Sequence, residues 1–269
     1  MERLIPQGGA VGSDWIVPNW PAPPNVRALC STRSGGCSDP PYDSLNLGLG
    51  AGDAATAVAE NRRRWSATIG ALPVFLRQVH GTTVQAIDTA SSDGQTADGA
   101  ITRQSGVACT VMAADCLPVL FANADGSCVA AAHAGWRGLA GGVLESVLQS
   151  FFGFPRVLNR DSASEIIAWL GPCIGPLEFE VGDEVKAAFM TGVPEASHFF
   201  APRKPGKWLA DLAGLARQRL RSMGVTQIHG NDGGAGWCTV RNASMFFSHR
   251  RDSVRLGGSG RMAASVWLD

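Results

Sequence analysis

Apolar residues along this chain recur in short runs, more often with the period of a strand than of a helix. After a proline-rich start, VRALCSTR reads as a strand, and VFLRQVH, TVQAID, VACTVMAA, LPVLFA and SCVAAAHA follow as further strands. Turn dipeptides Asp93-Gly94, Asp98-Gly99 and Asp125-Gly126 separate them. The loop SGGCSDPPYDSLNLGLGAGD is too rich in turn formers for regular structure, and Asp53 is placed to cap a helix that Gly70 stops. A second helix is expected from Leu139 to about Phe151, with Val143, Leu144, Val147 and Leu148 on its apolar face. EIIAWL predicts a strand, Val181–Met190 a helix, Trp208–Met223 a longer helix, and ASMFFSH and MAASVWL two closing strands. Strands in runs, rather than in regular alternation with helices, favour an α+β fold with mixed sheets and surrounding helices.

With 269 residues, 45% of them hydrophobic, the chain can bury a full core. No linker divides it, so residues 1–269 are expected to form one domain, with 1–25 as a proline-rich N-terminal arm or first strand. Lys and Arg number 23 against 23 Asp and Glu, which leaves no net positive field for nucleic acid or an anionic membrane. No apolar leader or spanning stretch is evident, and seven cysteines without a CxxC suit a reducing compartment, so a cytoplasmic location is expected.

The chemistry concentrates in ADCLPVLFANADGSCVAAAHAGWRG, residues 114–138. If Asn123–Gly126 is a four-residue hairpin loop, Ala122 pairs with Ser127 and the register brings Cys116 opposite His133. A loop of different length would misalign the two. His80 ends LRQVH and is followed by Gly81, at a strand end where ligands collect. His80, Cys116 and His133 would offer a metal two imidazoles and a thiolate, leaving a fourth tetrahedral position open, as catalytic zinc requires. A buried thiol with two ordinary imidazoles is the alternative, and for either histidine alone it is the better one; the Cys116–His133 pairing tips the balance towards a metal. The following AGWRG turn offers backbone amides and Arg137 to an anion, so a phosphate site beside the metal is expected.

The blocks STRSGGCSDPPYDSLNLG, NRRR, RQVHG, TADGAIT, ADCLPVLFA, AAHAGWRGL, GPCIGP, CTV and FFSHRRD…GRMAASVWL resemble, in order, those of the laccase-domain, YfiH-type family. The resemblance runs from about residue 26 to the end. It implies purine nucleoside phosphorylase activity with adenosine deaminase and methylthioadenosine phosphorylase activities, the older name polyphenol oxidase, and a role as peptidoglycan editing factor. It also implies the metal ligands His80, Cys116 and His133, and a fold likened to cysteine-dependent deamidating toxins. Two features depart from the pattern: His249 stands in FFSHRRD where an aromatic residue is usual, and the RDSVRLGGSGRMA connection is longer.

The leading expectation is a zinc-dependent phosphorylase taking a purine nucleoside and phosphate. Arg137, with Arg62 from NRRR, would position phosphate, Asn46 and Gln78 would contact substrate, and Asp98 and Asp115 would carry protons or orient ligands. A cysteine hydrolase or deamidase using a Cys116/His133 dyad is the alternative, and it would leave His80 without a role. Hydrolytic editing of a peptidoglycan precursor is another. Copper could occupy the same three residues, but five histidines in all are too few for the trinuclear centre of a multicopper oxidase.

Overall fold

The computed structural model describes residues 14–152, 163 and 165–269. The first thirteen residues of the expected arm lie outside them; Ile16, further along it, bridges Cys30 in antiparallel fashion.

Two mixed sheets stack face to face, with helices on both outer sides. The four-stranded sheet runs in the order β1 (Val26–Cys30), β13 (Met262–Leu268), β5 (Val107–Ala113) and β2 (Leu72–Phe75). The six-stranded sheet has the order β12 (Gln227–Gly230), β8 (Ile166–Leu170), β6 (Leu117–Asn123), β7 (Val129–Ala134), β4 (Gly99–Thr102) and β3 (Val84–Ala86). Val74, Val107, Cys109, Val111, Ala264 and Val266 of the first sheet pack against Ala100, Leu120, Ala122, Ala131 and Trp169 of the second. The outer face of the first sheet takes helix α1 (Ala55–Ile69) through Trp65 and Ile69. The outer face of the second takes helices α2 (Trp136–Gly141) and α3 (Val143–Phe152) through Leu139, Val143, Leu144 and Leu148. Strands covered on both faces are apolar at nearly every position, which explains why VACTVMA and LPVLFA show runs instead of alternation. A three-stranded sheet, β10 (Phe200–Lys204), β11 (Lys207–Ala210) and β9 (Glu180–Gly182), sits apart from these two.

The α+β expectation holds, and several element assignments change. Helix α1 starts behind Ala54 without the side-chain cap expected from Asp53. The helix expected from Leu139 begins earlier, at Trp136, and breaks at Gly142, whose φ of 102° ends α2 before α3 starts. Val181–Met190 divides into β9 and helix α4 (Asp183–Met190). Trp208–Met223 divides at Asp211: Trp208 lies in β11, and Asp211 caps helix α5 (Leu212–Ser222) by accepting from the Gly214 amide at 2.8 Å. The apolar run WLADLAGLA crosses that boundary without a change of period, so the cap was the informative residue. ASMFFSH forms no strand. Phe246 and Phe247 are buried between the sheets, turns fold back on the Asn242 carbonyl, and Ser248 caps helix α6 (His249–Leu256).

The β6–β7 hairpin is also shifted. Asn123 N–H bonds Cys128 O, so the loop is Ala124–Ser127, held by the Ser127 amide on Asp125 Oδ1 at 2.8 Å and by Gly126 at φ 72°. His133 therefore pairs with Pro118, not Cys116. The displacement is two residues, an even number, and the side chains keep their faces. Continuing the register sets Cys116 opposite Gly135 and diagonal to His133, still within reach of an imidazole.

Candidate metal centre

Three segments converge at the ends of β6 and β7. Cys116 immediately precedes β6, His133 lies in β7, and His80 sits in the loop after β2. Their donor atoms all lie within 4.8 Å of one another; among the described residues they are the one such cluster of three. Cys116 Sγ is 3.6 Å from His80 Nε2, and the two imidazoles meet edge to face at 4.9 Å. His133 is buried whereas His80 is exposed, so one side of the cluster opens outward.

Asp98 organises this convergence. Its side chain, fully buried, accepts from the amides of Val79 at 3.1 Å, His80 at 2.9 Å and Gly81 at 2.7 Å. It also lies 2.8 Å from His133 Nδ1, and its backbone carbonyl accepts from the His133 amide. With Nδ1–H committed to Asp98, His133 presents Nε2 to the cluster. The carboxylate also holds the 79–81 loop, in which His80 has φ 61°, a left-handed conformation that such a clamp sustains. Asp115, at φ 91°, sets up Cys116 in the same manner: its carboxylate accepts from Thr239 Oγ1 and from the Arg250 amide, and its carbonyl from the Ile174 amide.

Charge follows from this geometry. Burial pushes the Cys116 thiol up, but His133 first and His80 next outweigh it and bring the thiol down to about 6. Burial likewise pushes the His133 imidazole down, while the Cys116 sulphur and the Asp98 carboxylate together raise it to about 9. The protein thus favours thiolate at Cys116, the state that ligates metal. Burial opposes ionisation of Asp98 too, yet the His133 bond and the Gly81 and Val79 amides hold its carboxyl below the usual range.

The glycines of the AGWRG turn are required by close approach. A Cβ on Gly135 would stand 2.6 Å from His80 Cδ2 and 2.9 Å from Cys116 Sγ, and one on Gly138 would stand 2.8 Å from the Gly81 carbonyl oxygen. Gly135→Ala is therefore expected to push the donors apart, lowering metal affinity about tenfold and stability by roughly 1–3 kcal/mol. Competition with a zinc chelator and urea unfolding measure the two effects.

The other residues singled out from sequence fall elsewhere. Both polar atoms of the Gln78 amide bond the Met112 backbone at 2.7 Å, which ties the 76–80 segment to β5. Arg62 pairs with Asp93 at 2.9 Å, bonds the Leu47 carbonyl and lies over the Phe75 ring. Asn46, fully buried, bonds Asp53, Gly48 and the Arg261 amide. In this structure all three side chains spend their polar groups on the scaffold. Arg137 is exposed and stacks on Trp136 at 4.4 Å. His249 bonds Ser253 Oγ at 2.7 Å at the start of α6, in keeping with a hydrogen-bonding and not a ligating role.

Fold and site together define an α+β protein that carries an open His₂Cys centre braced by a buried carboxylate. The chain belongs to the family described as multi-copper polyphenol oxidoreductase laccase, whose model matches residues 27–269. A Pseudomonas aeruginosa protein named a purine nucleoside phosphorylase is 48% identical over 255 residues, 94% of this chain and 98% of its own length. The Escherichia coli purine nucleoside phosphorylase YfiH is 48% identical over 258 residues, 95% and 99% of the two chains. A crystal structure of a Neisseria meningitidis protein, 44% identical, superposes with a TM-score of 0.87 over 95% of this chain and 99% of the other. YlmD from Geobacillus stearothermophilus, 30% identical, gives 0.85 over 98% of both.

Proposed function

We propose that this protein is a zinc-dependent purine nucleoside phosphorylase, converting adenosine, inosine or methylthioadenosine and phosphate to free base and a ribose 1-phosphate, with adenosine deamination as a second activity. The observation that carries the reading is the His80–Cys116–His133 cluster, in a chain that shares 48% of its residues with relatives named for that reaction.

The donor set fits zinc. Two imidazoles and a thiolate leave a fourth position, Asp98 fixes the tautomer of His133, and the outward side at His80 admits a ligand. Zinc bound there supplies Lewis acidity towards an oxygen ligand. The chain's own residues hold the donors, exclude water on the His133 side and keep Cys116 ionised. In phosphorolysis a phosphate oxygen forms a bond to C1′ as the C1′–N9 bond breaks, and the purine leaves with the electron pair and takes a proton. That reaction needs an anion held near the cluster, and Arg137, which forms no ion pair among the described residues, is available for it.

The depressed Cys116 thiol gives a cysteine hydrolase some support, because a thiolate beside a protonated His133 is the nucleophilic state of such a dyad. The dyad, however, leaves unexplained why the 79–81 loop is clamped to bring His80 within 3.6 Å of the sulphur. Copper would fit the same donors, but His198, His229 and His249 lie on separate elements and build no second centre. No helix among the described residues is long and apolar enough to cross a membrane, in keeping with a cytoplasmic site of action on small molecules.

Incubating the purified protein with adenosine, with and without phosphate, separates these readings. Phosphorolysis gives adenine and ribose 1-phosphate only when phosphate is present. Inosine formed without phosphate reports the deaminase. If neither product appears, the nucleoside reading fails and the hydrolase takes its place.

A further inference from the structure

Several arginines flanking the two central sheets are neutralised. Arg33 pairs with Asp43, Arg62 with Asp93, Arg241 with Glu178 and Arg251 with Asp252. Arg261 is half-buried, and among the described residues no carboxylate lies within ion-pairing distance of it. Its place is nevertheless fixed. The Arg261 amide donates to Asn46 Oδ1 at 2.8 Å, and Nη1 donates to the carbonyls of Ser259 at 2.7 Å and Gly260 at 3.1 Å. The stem lies so close to Gly48 that a Cβ there would stand 2.6 Å from Arg261 Cγ.

The sheet register brings this residue alongside the segment that carries Cys116. Met262 pairs with Ala113, so Arg261 lies beside Ala114, where the chain turns through Asp115 into Cys116. Burial holds the Arg261 guanidinium below its usual range, and the charges of Cys116, Asp115 and Tyr42 oppose that shift through space. Asp115 lies beyond ion-pairing distance of it, with its carboxylate oxygens bonded instead to the Thr239 hydroxyl and the Arg250 amide. Tyr42, the sole tyrosine, has its hydroxyl wedged against Gly52 and Gly258, where added Cβ atoms would stand 2.7 and 2.5 Å from it. That hydroxyl has no hydrogen-bond partner among the described residues.

A half-buried guanidinium without an ion-pair partner is costly to fold around, and a forked cation three residues from the glycine on which an unpartnered hydroxyl packs suits a tetrahedral oxyanion. We propose that Arg261 and the Tyr42 hydroxyl form an oxyanion subsite beside Cys116 that binds phosphate, with Arg261 positioning it for attack. This rests on the phosphorylase reading for the use of the anion, but not for its binding. Arg137, exposed on its neighbouring tryptophan, then serves the approach of the anion rather than its placement.

The test uses the purified metal-loaded protein with inorganic phosphate, and compares wild type with Arg261→Gln, Arg261→Lys and Tyr42→Phe. Phosphate should raise the wild-type melting temperature saturably, and Arg261→Gln should abolish that rise while keeping its zinc. In turnover the KM for phosphate should rise at least about tenfold in Arg261→Gln, with the KM for inosine changed less than about threefold; Arg261→Lys and Tyr42→Phe should fall between. An undiminished phosphate response in Arg261→Gln, loss of its zinc, or equal increases in both KM values would overturn the proposal. If Arg261→Gln does not fold, the same comparison rests on the lysine and phenylalanine variants, and an unchanged phosphate response in both overturns it. A wild type that binds phosphate through Arg261 without cleaving nucleosides would leave the subsite standing and remove the phosphorylase reading.

Discussion

Replacing Cys116 with alanine is expected to remove the metal, and phosphorolysis with it. Wild-type protein should carry about one equivalent of zinc and Cys116→Ala almost none, because two imidazoles alone, one of them exposed, hold zinc far more weakly than a set with thiolate. Losing the Lewis acid should lower kcat/KM on the order of 10³-fold, since metal stabilisation of charge in the transition state is worth several kcal/mol. Compared metal-free with metal-free, the fold should lose only about 1 kcal/mol, because Cys116 lies at a strand end and is only partly buried. Elemental analysis, initial rates and urea unfolding on one preparation give all three quantities. A variant that keeps both zinc and activity would show that the thiol is not a ligand.

Cys116 and His133 were legible as a pair from sequence because hairpin pairing fixes which face each side chain takes, and that face survived the two-residue change of register. The loop itself was misplaced: Asn123 reads as a turn former, but its amide continues the ladder to Cys128 and the turn begins at Ala124. The helix drawn through Trp208–Met223 failed for a related reason. Trp208 and Leu209 are apolar at positions that fit either period, and only Asp211 marks the boundary. His80 was found through its block and its position before a glycine. What brings it to the cluster, the three amides held by Asp98, is a tertiary contact with no local signal. Arg261 carries no local signal, because a single cation before an apolar strand looks like an ordinary strand boundary. Residue type alone sets Asn46, Gln78 and Arg62 among the expected substrate contacts, and it carries no signal for the backbone and carboxylate partners these side chains have in the structure.

Asp98→Asn should be the most destabilising isosteric change in the site. The carboxylate accepts from three loop amides and faces His133 Nδ1, whereas an asparagine offers one oxygen and a donor that meets other donors. Leaving buried N–H groups and a buried imidazole without their acceptor should cost about 3–5 kcal/mol. Zinc affinity should fall some 10- to 100-fold as His133 loses the bond that orients it and His80 loses its loop clamp. Because the Asp98 carboxyl is held below its usual range in the folded protein, its contribution is present above about pH 4 and fades as pH falls through the folded value. The stability gap between wild type and Asp98→Asn should therefore narrow in acid. Urea unfolding across pH and competition with a zinc chelator measure these effects. A gap under about 1 kcal/mol at neutral pH would mean that the loop is held by something other than this carboxylate.

Whether the His80–Cys116–His133 metal drives phosphorolysis is decided by titrating metal-stripped protein with zinc while following phosphate-dependent release of hypoxanthine from inosine. Release should be negligible without metal, return linearly as zinc is added, and break at one equivalent of zinc per chain. Full activity in the metal-free protein, or recovery only with copper, would contradict that role for zinc.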